Sequence, residues 1–221
     1  MDCMDMLRQI PDNSISLCLA DPPYGIDFQS ARRIDSSQWK PKIKNDDRPF
    51  TDWLAPLYPK MTDGGRLVCF YRWDVQNEFQ QEIEAAGFTI KSQLVWNKLV
   101  HGMGDLKGEF GPAHELMFYA TKGRYEFTGK RPTTVYNVQR LNGSKLIHPN
   151  EKPVELLSQI IKDLTSESTE LIVDPFGGSF STFIAACLLN RNCISCELDE
   201  YYFNIGQQRV NREINYKNEL F

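Results

Sequence analysis

The chain has 221 residues, of which 41% are hydrophobic and 24% are charged, with a formal net charge of −4. This length fits one domain with a full α/β core, and the composition excludes a disordered or fibrous chain. The sequence has neither an apolar run of about 18 residues nor a charged-then-apolar leader, which predicts a cytoplasmic protein without a membrane span. The acidic average does not favour tight nonspecific DNA binding, because basic side chains supply most of that affinity.

The six cysteines lie mostly inside apolar strand or helix patterns, where a free cysteine behaves as a small buried hydrophobe. Cys193 and Cys196 have CxxC spacing, but a zinc site needs a second ligand pair, and residues three apart in a strand face opposite sides. We therefore predict reduced, structural cysteines and no metal site.

Apolar strands alternate with helices along the chain, a pattern typical of a doubly wound sheet. A polar, basic segment without periodicity, 28–50, interrupts this alternation and is predicted to be a lid or a DNA-facing loop. Strands are predicted at 15–20, 66–71, 88–96, 114–120, 170–173 and 193–196, and helices at 5–10, 53–61, 74–86, 154–164 and 201–214, with one more after the glycines at 177–178.

The first predicted strand ends in the tetrapeptide Asp21-Pro22-Pro23-Tyr24. Its prolines cannot donate backbone hydrogen bonds and each fixes its own φ, so the neighbouring carbonyls become acceptors with set directions. With the Asp21 carboxylate before them and the Tyr24 ring after them, they suit the amino group and flat ring of adenine or cytosine. The alternative is a strand-ending turn in which Asp21 caps a neighbouring backbone and Tyr24 simply packs.

A second strand end, Asp174-Pro175-Phe176-Gly177-Gly178-Ser179, follows the apolar residues 170–173 and opens a helical pattern. Strand, glycine turn and helix form a nucleotide-binding unit. Glu197 ends the next strand about twenty residues on, where it is placed to accept hydrogen bonds from ribose hydroxyls. The alternatives are a helix cap for Asp174 and a solvated acid for Glu197.

These two stretches resemble the DNA amino-methyltransferases that use S-adenosylmethionine, and the resemblance covers nearly the whole chain. Residues 21–24 match the family's catalytic tetrapeptide, and residues 174–179 match most of its cofactor loop. The segment His148-Pro149-Asn150-Glu151-Lys152-Pro153 is similar to a third element, which lines the methionine end of the cofactor. The catalytic element precedes the cofactor element, as in the permuted group usually called beta.

The resemblance implies an α/β, doubly wound Rossmann-like methyltransferase sheet with an antiparallel edge. A single domain spanning 1–221 is expected, with a catalytic half at 1–120, a short recognition arm at 121–147 and a cofactor-binding half at 148–221. Because the arm is too short for a separate recognition domain, we expect a short or relaxed target site.

The implied reaction is site-specific methyl transfer from S-adenosylmethionine to the exocyclic amine of an adenine in DNA, as in restriction–modification. The base must first leave the duplex, where its amine is paired. Tyr24 would stack on the flipped ring, while the Asp21 carboxylate and the Pro22 carbonyl would accept from the amine and direct its lone pair. The implied cofactor-binding residues are Asp2, His148, Lys152, Asp174, Phe176, Gly177, Gly178, Ser179 and Glu197.

DNA is the implied partner, and a homodimer is left open. Basic residues cluster after the catalytic element and in the arm, which predicts a DNA-facing patch within an acidic chain. Ordinary solvated loop charges are the alternative. The predicted DNA contacts are Arg32, Arg33, Lys40, Lys42, His101, Lys130 and Arg131.

Three other functions stay open at this point. Cytosine could replace adenine, because the aspartate form of the tetrapeptide separates the two bases only weakly. An RNA base or a protein glutamine could be the acceptor, since related catalytic loops act on other planar amines. A catalytically silent relative that binds nucleic acid or a partner protein is the third, because Phe180 stands where the family has glycine and could obstruct the close backbone approach.

Overall fold

The computed structural model describes residues 1–25, 46–102, 107–108, 110–141, 151–166 and 169–218. Within them, a seven-stranded sheet carries helices on both faces. The strands are β1 (Ile15–Ala20), β2 (Met61–Tyr71), β3 (Thr89–Asn97), β4 (His114–Thr121), β5 (Val135–Asn137), β6 (Leu171–Asp174) and β7 (Asn192–Ser195), and the helices are α1 (Cys3–Gln9), α2 (Leu54–Lys60), α3 (Gln76–Ala85), α4 (Val154–Leu164), α5 (Ser181–Leu188) and α6 (Glu200–Asn218).

The strand order in the sheet is β5-β3-β4-β2-β1-β6-β7. Among the described strands, β4 is the one that is reversed, and it pairs antiparallel with both β2 and β3. This arrangement confirms the predicted doubly wound sheet with antiparallel pairing toward one side. The short strand β5, which the periodicity did not predict, pairs in parallel with β3 and forms the edge itself.

Side chains of β1 belong alternately to two hydrophobic cores, because successive residues of a strand point to opposite faces. Cys18 packs in the core that also contains side chains of α1, α2 and α3. Leu17 and Leu19 pack in the other core, with α4 and α5. Burial on both faces explains why β1 has an almost continuous apolar sequence.

The two cysteines of the CxxC spacing contribute to different cores, as their spacing in a strand predicts. Cys196 lies in one core and donates a hydrogen bond to the Pro175 carbonyl at 3.2 Å, whereas Cys193 packs against the other core. All six cysteines are free thiols. None of the described helices is both long and apolar enough to cross a membrane.

The strand order changes direction at β1, which pairs with β2 on one side and with β6 on the other. In open α/β sheets, ligands bind outside the carboxyl ends of the strands at such a switch point. Asp21 directly follows β1, and Asp174 is the last residue of β6. The fold therefore brings the two predicted loops together at this point.

Candidate active site

A cavity at the switch point contains most of the predicted site. It is lined by all of residues 21–24 and all of residues 174–179, together with Asp2, Lys152 and Glu197. The structure thus brings together every predicted catalytic residue and every predicted cofactor-binding residue that it describes. His148 lies outside the described residues.

The predicted catalytic tetrapeptide, residues 21–24, is held in place by the segment that precedes α2. Phe50 N donates to the Pro23 carbonyl at 3.1 Å, and Gly25 N donates to Asp46 Oδ1 at 2.8 Å. Gly25 has a φ of +82°, in the region that favours glycine. Within the described part of the chain, the Pro22 carbonyl accepts no hydrogen bond, so it is available to a ligand in the cavity.

The Asp21 carboxylate lies between a hydroxyl and an ammonium group. Tyr24 donates its hydroxyl to Asp21 Oδ1, and Lys152 Nζ donates to Oδ2 at 2.5 Å. Burial raises the pKa of Asp21, and the positive charge of Lys152 opposes that rise. The Tyr24 ring is in edge contact with Phe79 at 6.4 Å between ring centroids, which orients the ring at the cavity wall.

The Lys152 ammonium is buried between two carboxylates. Its Nζ lies 3.2 Å from Glu115 Oε2 as well as 2.5 Å from Asp21 Oδ2, and it sits 4.9 Å from the centroid of the Phe70 ring. Glu115 also pairs with Lys98 at 2.7 Å. Burial alone lowers the pKa of Lys152, but the two carboxylates outweigh burial and raise it above the ordinary value. The contacts of Lys152 are therefore with the catalytic loop, while its predicted role in cofactor binding stays a prediction.

Carboxylates held by backbone amides surround the other half of the cavity. Phe176 N donates to Asp174 Oδ1 at 3.0 Å, and Gly178 N donates to Glu197 Oε2 at 2.8 Å. Burial raises the pKa of Asp174 to about 7 and also raises the pKa of Glu197. No basic side chain in the described ranges pairs with either carboxylate. Asp2 lines the same cavity, and its side chain also caps α1.

Phe180 packs away from the cavity, which it does not line. Its ring fills the space beside two glycines, since a Cβ on Gly177 or on Gly206 would lie 2.5 or 2.6 Å from it. The ring also meets Phe203 edge-on, with 5.7 Å between centroids. Phe180 itself has a φ of +61°, a left-handed conformation in which glycine is favoured. The Phe180 ring therefore does not obstruct the cavity at the predicted cofactor loop, residues 174–179.

Arg209 of α6 holds the end of the cofactor loop where α5 begins. Its Nη1 donates to Ser179 Oγ at 3.0 Å and to Ser181 Oγ at 2.8 Å. The same nitrogen lies 2.9 Å from Glu151 Oε1, and Glu151 directly precedes Lys152. This buried cation thus connects the cofactor loop to the segment that supplies Lys152.

Neither Glu115 nor Arg209 was predicted from the sequence, although each leaves a signal there. Glu115 is the second residue of β4, directly before the apolar residues 116–120. Arg209 follows Tyr202 and Gly206 at the i, i+4, i+7 spacing of one buried helix face. A charged residue at a position that should be buried indicates a partner charge or a polar site.

The predicted DNA contacts are only partly described by the structure. His101, Lys130 and Arg131 are exposed, but no contact in the structure tests their role. Part of the predicted arm is built into the sheet, because Tyr136 lies in β5, is buried and donates to Asp163 Oδ2 at 3.0 Å. The remaining predicted contacts, which lie outside the described residues, are Arg32, Arg33, Lys40 and Lys42.

Two solved structures illustrate the likeness of this fold to known proteins. The M1.HpyAVI complex with SAM has a TM-score of 0.73 and 20% identity, with 96% of this chain and 97% of that chain covered. The cytosine-N4-specific PvuII DNA methyltransferase has a TM-score of 0.69 and 19% identity, with 97% and 89% covered. At this level of identity, these likenesses establish the fold.

Sequence comparison extends the likeness from the fold to the family. YubD of Escherichia coli K12 is 31% identical over 215 residues, which cover 95% of this chain and 87% of YubD. The DNA adenine methyltransferase YhdJ of the same strain is 27% identical over 256 residues, which cover 99% and 83%. A family model described as DNA methylase matches residues 15–208. The chain belongs to this DNA methylase family, which confirms the predicted family and its partner, DNA.

Proposed function

We propose that the protein transfers a methyl group from S-adenosylmethionine to the exocyclic amine of an adenine rotated out of DNA. The observation that carries this proposal is the meeting of two unlike sets of acceptors in one cavity. Asp21 and the Pro22 carbonyl can accept hydrogen bonds from the two N–H groups of an amine. Asp174 and Glu197, which have no basic partner among the described residues, can receive a cationic cofactor.

The chemistry of this donor set fits S-adenosylmethionine. The Asp174 carboxylate suits the amino group of the methionine portion, and the Glu197 carboxylate suits ribose hydroxyls. Asp2, the turn at 176–179, His148 and Lys152 are proposed to complete the binding site. When bound, S-adenosylmethionine supplies a methyl group whose bond to sulfur breaks as the bond to the amine nitrogen forms, with the electron pair left on sulfur and one amine proton released.

Residues of the catalytic loop position the amine for this displacement. Asp21 and the Pro22 carbonyl accept from its two N–H groups, which draws the nitrogen lone pair out of the ring and directs it toward the methyl group. The Tyr24 ring stacks on the flipped base. The exposed side chains of His101, Lys130 and Arg131 are proposed to contact the DNA.

Adenine is proposed as the base because the relative YhdJ is named as an adenine enzyme and the tetrapeptide begins with aspartate. Cytosine is the second candidate, because the cytosine-N4-specific PvuII enzyme shares the fold. Phe180 no longer favours a silent relative, since its ring leaves the cavity clear.

Mass spectrometry of digested DNA tests the proposal. The protein is incubated with mixed-sequence DNA and methyl-labelled S-adenosylmethionine, with RNA and a glutamine-containing peptide as parallel substrates. We expect label in N6-methyldeoxyadenosine and in neither parallel substrate. Label confined to N4-methyldeoxycytidine would establish the second candidate instead. An absence of S-adenosylmethionine binding in calorimetry would overturn the enzymatic function altogether.

A further inference from the structure

The acceptor Asp21 belongs to a chain of alternating charges that runs away from the cavity. Lys152 contacts Asp21, Glu115 contacts Lys152, and Lys98 contacts Glu115, at 2.5, 3.2 and 2.7 Å. These four side chains come from three separate parts of the fold: the end of β1, the hairpin of β3 and β4, and the start of α4. Their formal charges sum to zero, so the carboxylate at the cavity wall is neutralised from behind.

We propose that Lys152 is a positioning residue for methyl transfer, which keeps Asp21 ionised and turned toward the amine. This inference rests on the proposed function. A protonated carboxyl would present an O–H donor to the N–H groups of the amine, whereas the ionised form is an acceptor only. Lys152 occupies Oδ2 from the protein side, and each carboxylate oxygen retains a further lone-pair site for the amine. Glu115 holds the ammonium in place from the other side.

Lys152 and Glu115 have opposite effects on the pKa of Asp21. The Lys152 charge lowers the pKa of Asp21, whereas the Glu115 charge raises it. Among the residues that the structure describes, the titratable groups that face Asp21 are Tyr24 on its own loop, Cys69 of β2, Glu115 of β4, Lys152 before α4 and Asp174 of β6.

The titration of Asp174 must be separated from that of Asp21 in any measurement. Tyr24 and Cys69 have pKa values raised well above their ordinary ones, so both stay neutral near pH 7. Asp174 has a pKa of about 7 and could produce its own step in a plot of activity against pH. A direct titration of the Asp21 carboxyl, assigned residue by residue, avoids this ambiguity.

The experiment follows the carboxyl carbon of ¹³C-labelled aspartate by NMR in the cofactor-free protein, with Asp21→Asn assigning the signal. We expect Lys152→Met to raise the pKa of Asp21 by about one to three pH units. Glu115→Gln should lower it. Because Asp21 works in its ionised form, the acid limit of methyl transfer should move to higher pH in the first variant and to lower pH in the second.

Lys162→Met is the matched control, because Lys162 is an exposed lysine in α4 and should leave the Asp21 titration unchanged. If Lys152→Met does not fold, Glu115→Gln still tests the sign of the coupling. An Asp21 signal that titrates at the wild-type pH in the folded variants would overturn the inference, even if they lose activity. A wild-type protein that transfers no methyl group would overturn the proposed function instead, while the titration still decides whether Lys152 controls the ionisation.

Discussion

The carboxylates in the two halves of the cavity have different hydrogen-bond partners and a different balance of charge. In the acceptor half, formed by residues 21–24 with Lys152, the Asp21 charge is balanced by a buried ammonium 2.5 Å away. In the cofactor half, formed by residues 174–179 with Glu197, backbone amides hold the acids and burial raises the pKa of Asp174 to about 7. In the proposed function, the ionised Asp21 accepts from a neutral amine, whereas a cationic cofactor brings positive charge to Asp174 and Glu197 when it binds. The proposal thus predicts that the acceptor half is balanced in charge before binding and that the cofactor half becomes balanced on binding.

The largest expected effect is the loss of methyl transfer in Asp21→Ala, which changes the acceptor half and leaves the cofactor half intact. Asp21→Ala should lower methyl transfer by about 1,000-fold or abolish it, because it removes an acceptor aimed at the reacting amine. Binding of S-adenosylmethionine should stay within a few-fold, because Asp21 belongs to the other half. Radiometric methyl transfer and calorimetry measure the two quantities. An equal loss of methyl transfer and of S-adenosylmethionine binding would contradict the assignment of Asp21 to the acceptor half alone.

Asp174→Asn tests the cofactor half. It should weaken S-adenosylmethionine binding about 10- to 100-fold at pH 8, because a charged hydrogen bond to the cofactor is lost. In the wild type, binding should tighten as pH rises from 6 to 8, since Asp174 ionises near pH 7. Calorimetry at several pH values should show this dependence in the wild type and in the exposed control Asp5→Asn. Its persistence in Asp174→Asn would show that another group is responsible.

Asp174→Asn should weaken cofactor binding but stabilise the cofactor-free protein. The pKa of Asp174 is raised from 3.8 to about 7, so ionising this side chain opposes folding above pH 7, and the opposition fades as pH falls from 7 toward 4. Without cofactor, Asp174→Asn should therefore melt several degrees higher than the wild type at pH 8 and show a smaller gain at pH 5. Thermal melts at both pH values check the sign.

The sequence predicted the parts of the site that are continuous along the chain. Residues 21–24 and 174–179 are local patterns at strand ends, and an α/β sheet necessarily brings such ends to one edge. The contact of Lys152 with Glu115 depends on where β4 lies in the sheet, and no local pattern encodes strand order. Strand β5 has three residues, too few to show a periodicity.

Phe180 shows a different limit of sequence reasoning. The family glycine at this position suggested a close approach to the cofactor, but the backbone instead uses the left-handed conformation that glycine favours. Space for the phenyl ring comes from Gly206, which lies in a helix far along the chain. Comparison of the motif alone reveals phenylalanine in place of glycine at position 180, but it does not reveal Gly206, which makes room for the ring.

Phe180→Gly should therefore change stability and leave the cofactor half intact. Losing a buried ring costs about 3–5 kcal/mol, and relief of the left-handed backbone returns about 1–2 kcal/mol, for a net loss of about 1–4 kcal/mol. Phe180→Ala should be less stable than Phe180→Gly, because alanine loses the ring and keeps the strain. Denaturant melts measure both variants. Tighter S-adenosylmethionine binding by Phe180→Gly would show that the ring does reach the cavity.

Tyr24→Phe is expected to have the smallest effect and tests what organises the acceptor half. The Tyr24 hydroxyl donates to one oxygen of Asp21, but Lys152 holds the other oxygen and carries the compensating charge. The variant keeps the ring, so stacking on the flipped base is preserved.

We expect Tyr24→Phe to lose less than about fivefold in kcat/KM, whereas Tyr24→Ala should lose about 10- to 100-fold, because stacking is worth about 1–3 kcal/mol per base. Since the hydroxyl lowers the pKa of Asp21, its removal should also move the acid limit of activity slightly to higher pH, by less than Lys152→Met does. Rates for both variants on one DNA substrate, from pH 5 to pH 9, measure both effects. If Tyr24→Phe were as inactive as Tyr24→Ala, the Tyr24 hydroxyl rather than the Lys152 ammonium would be the group that holds Asp21 in position.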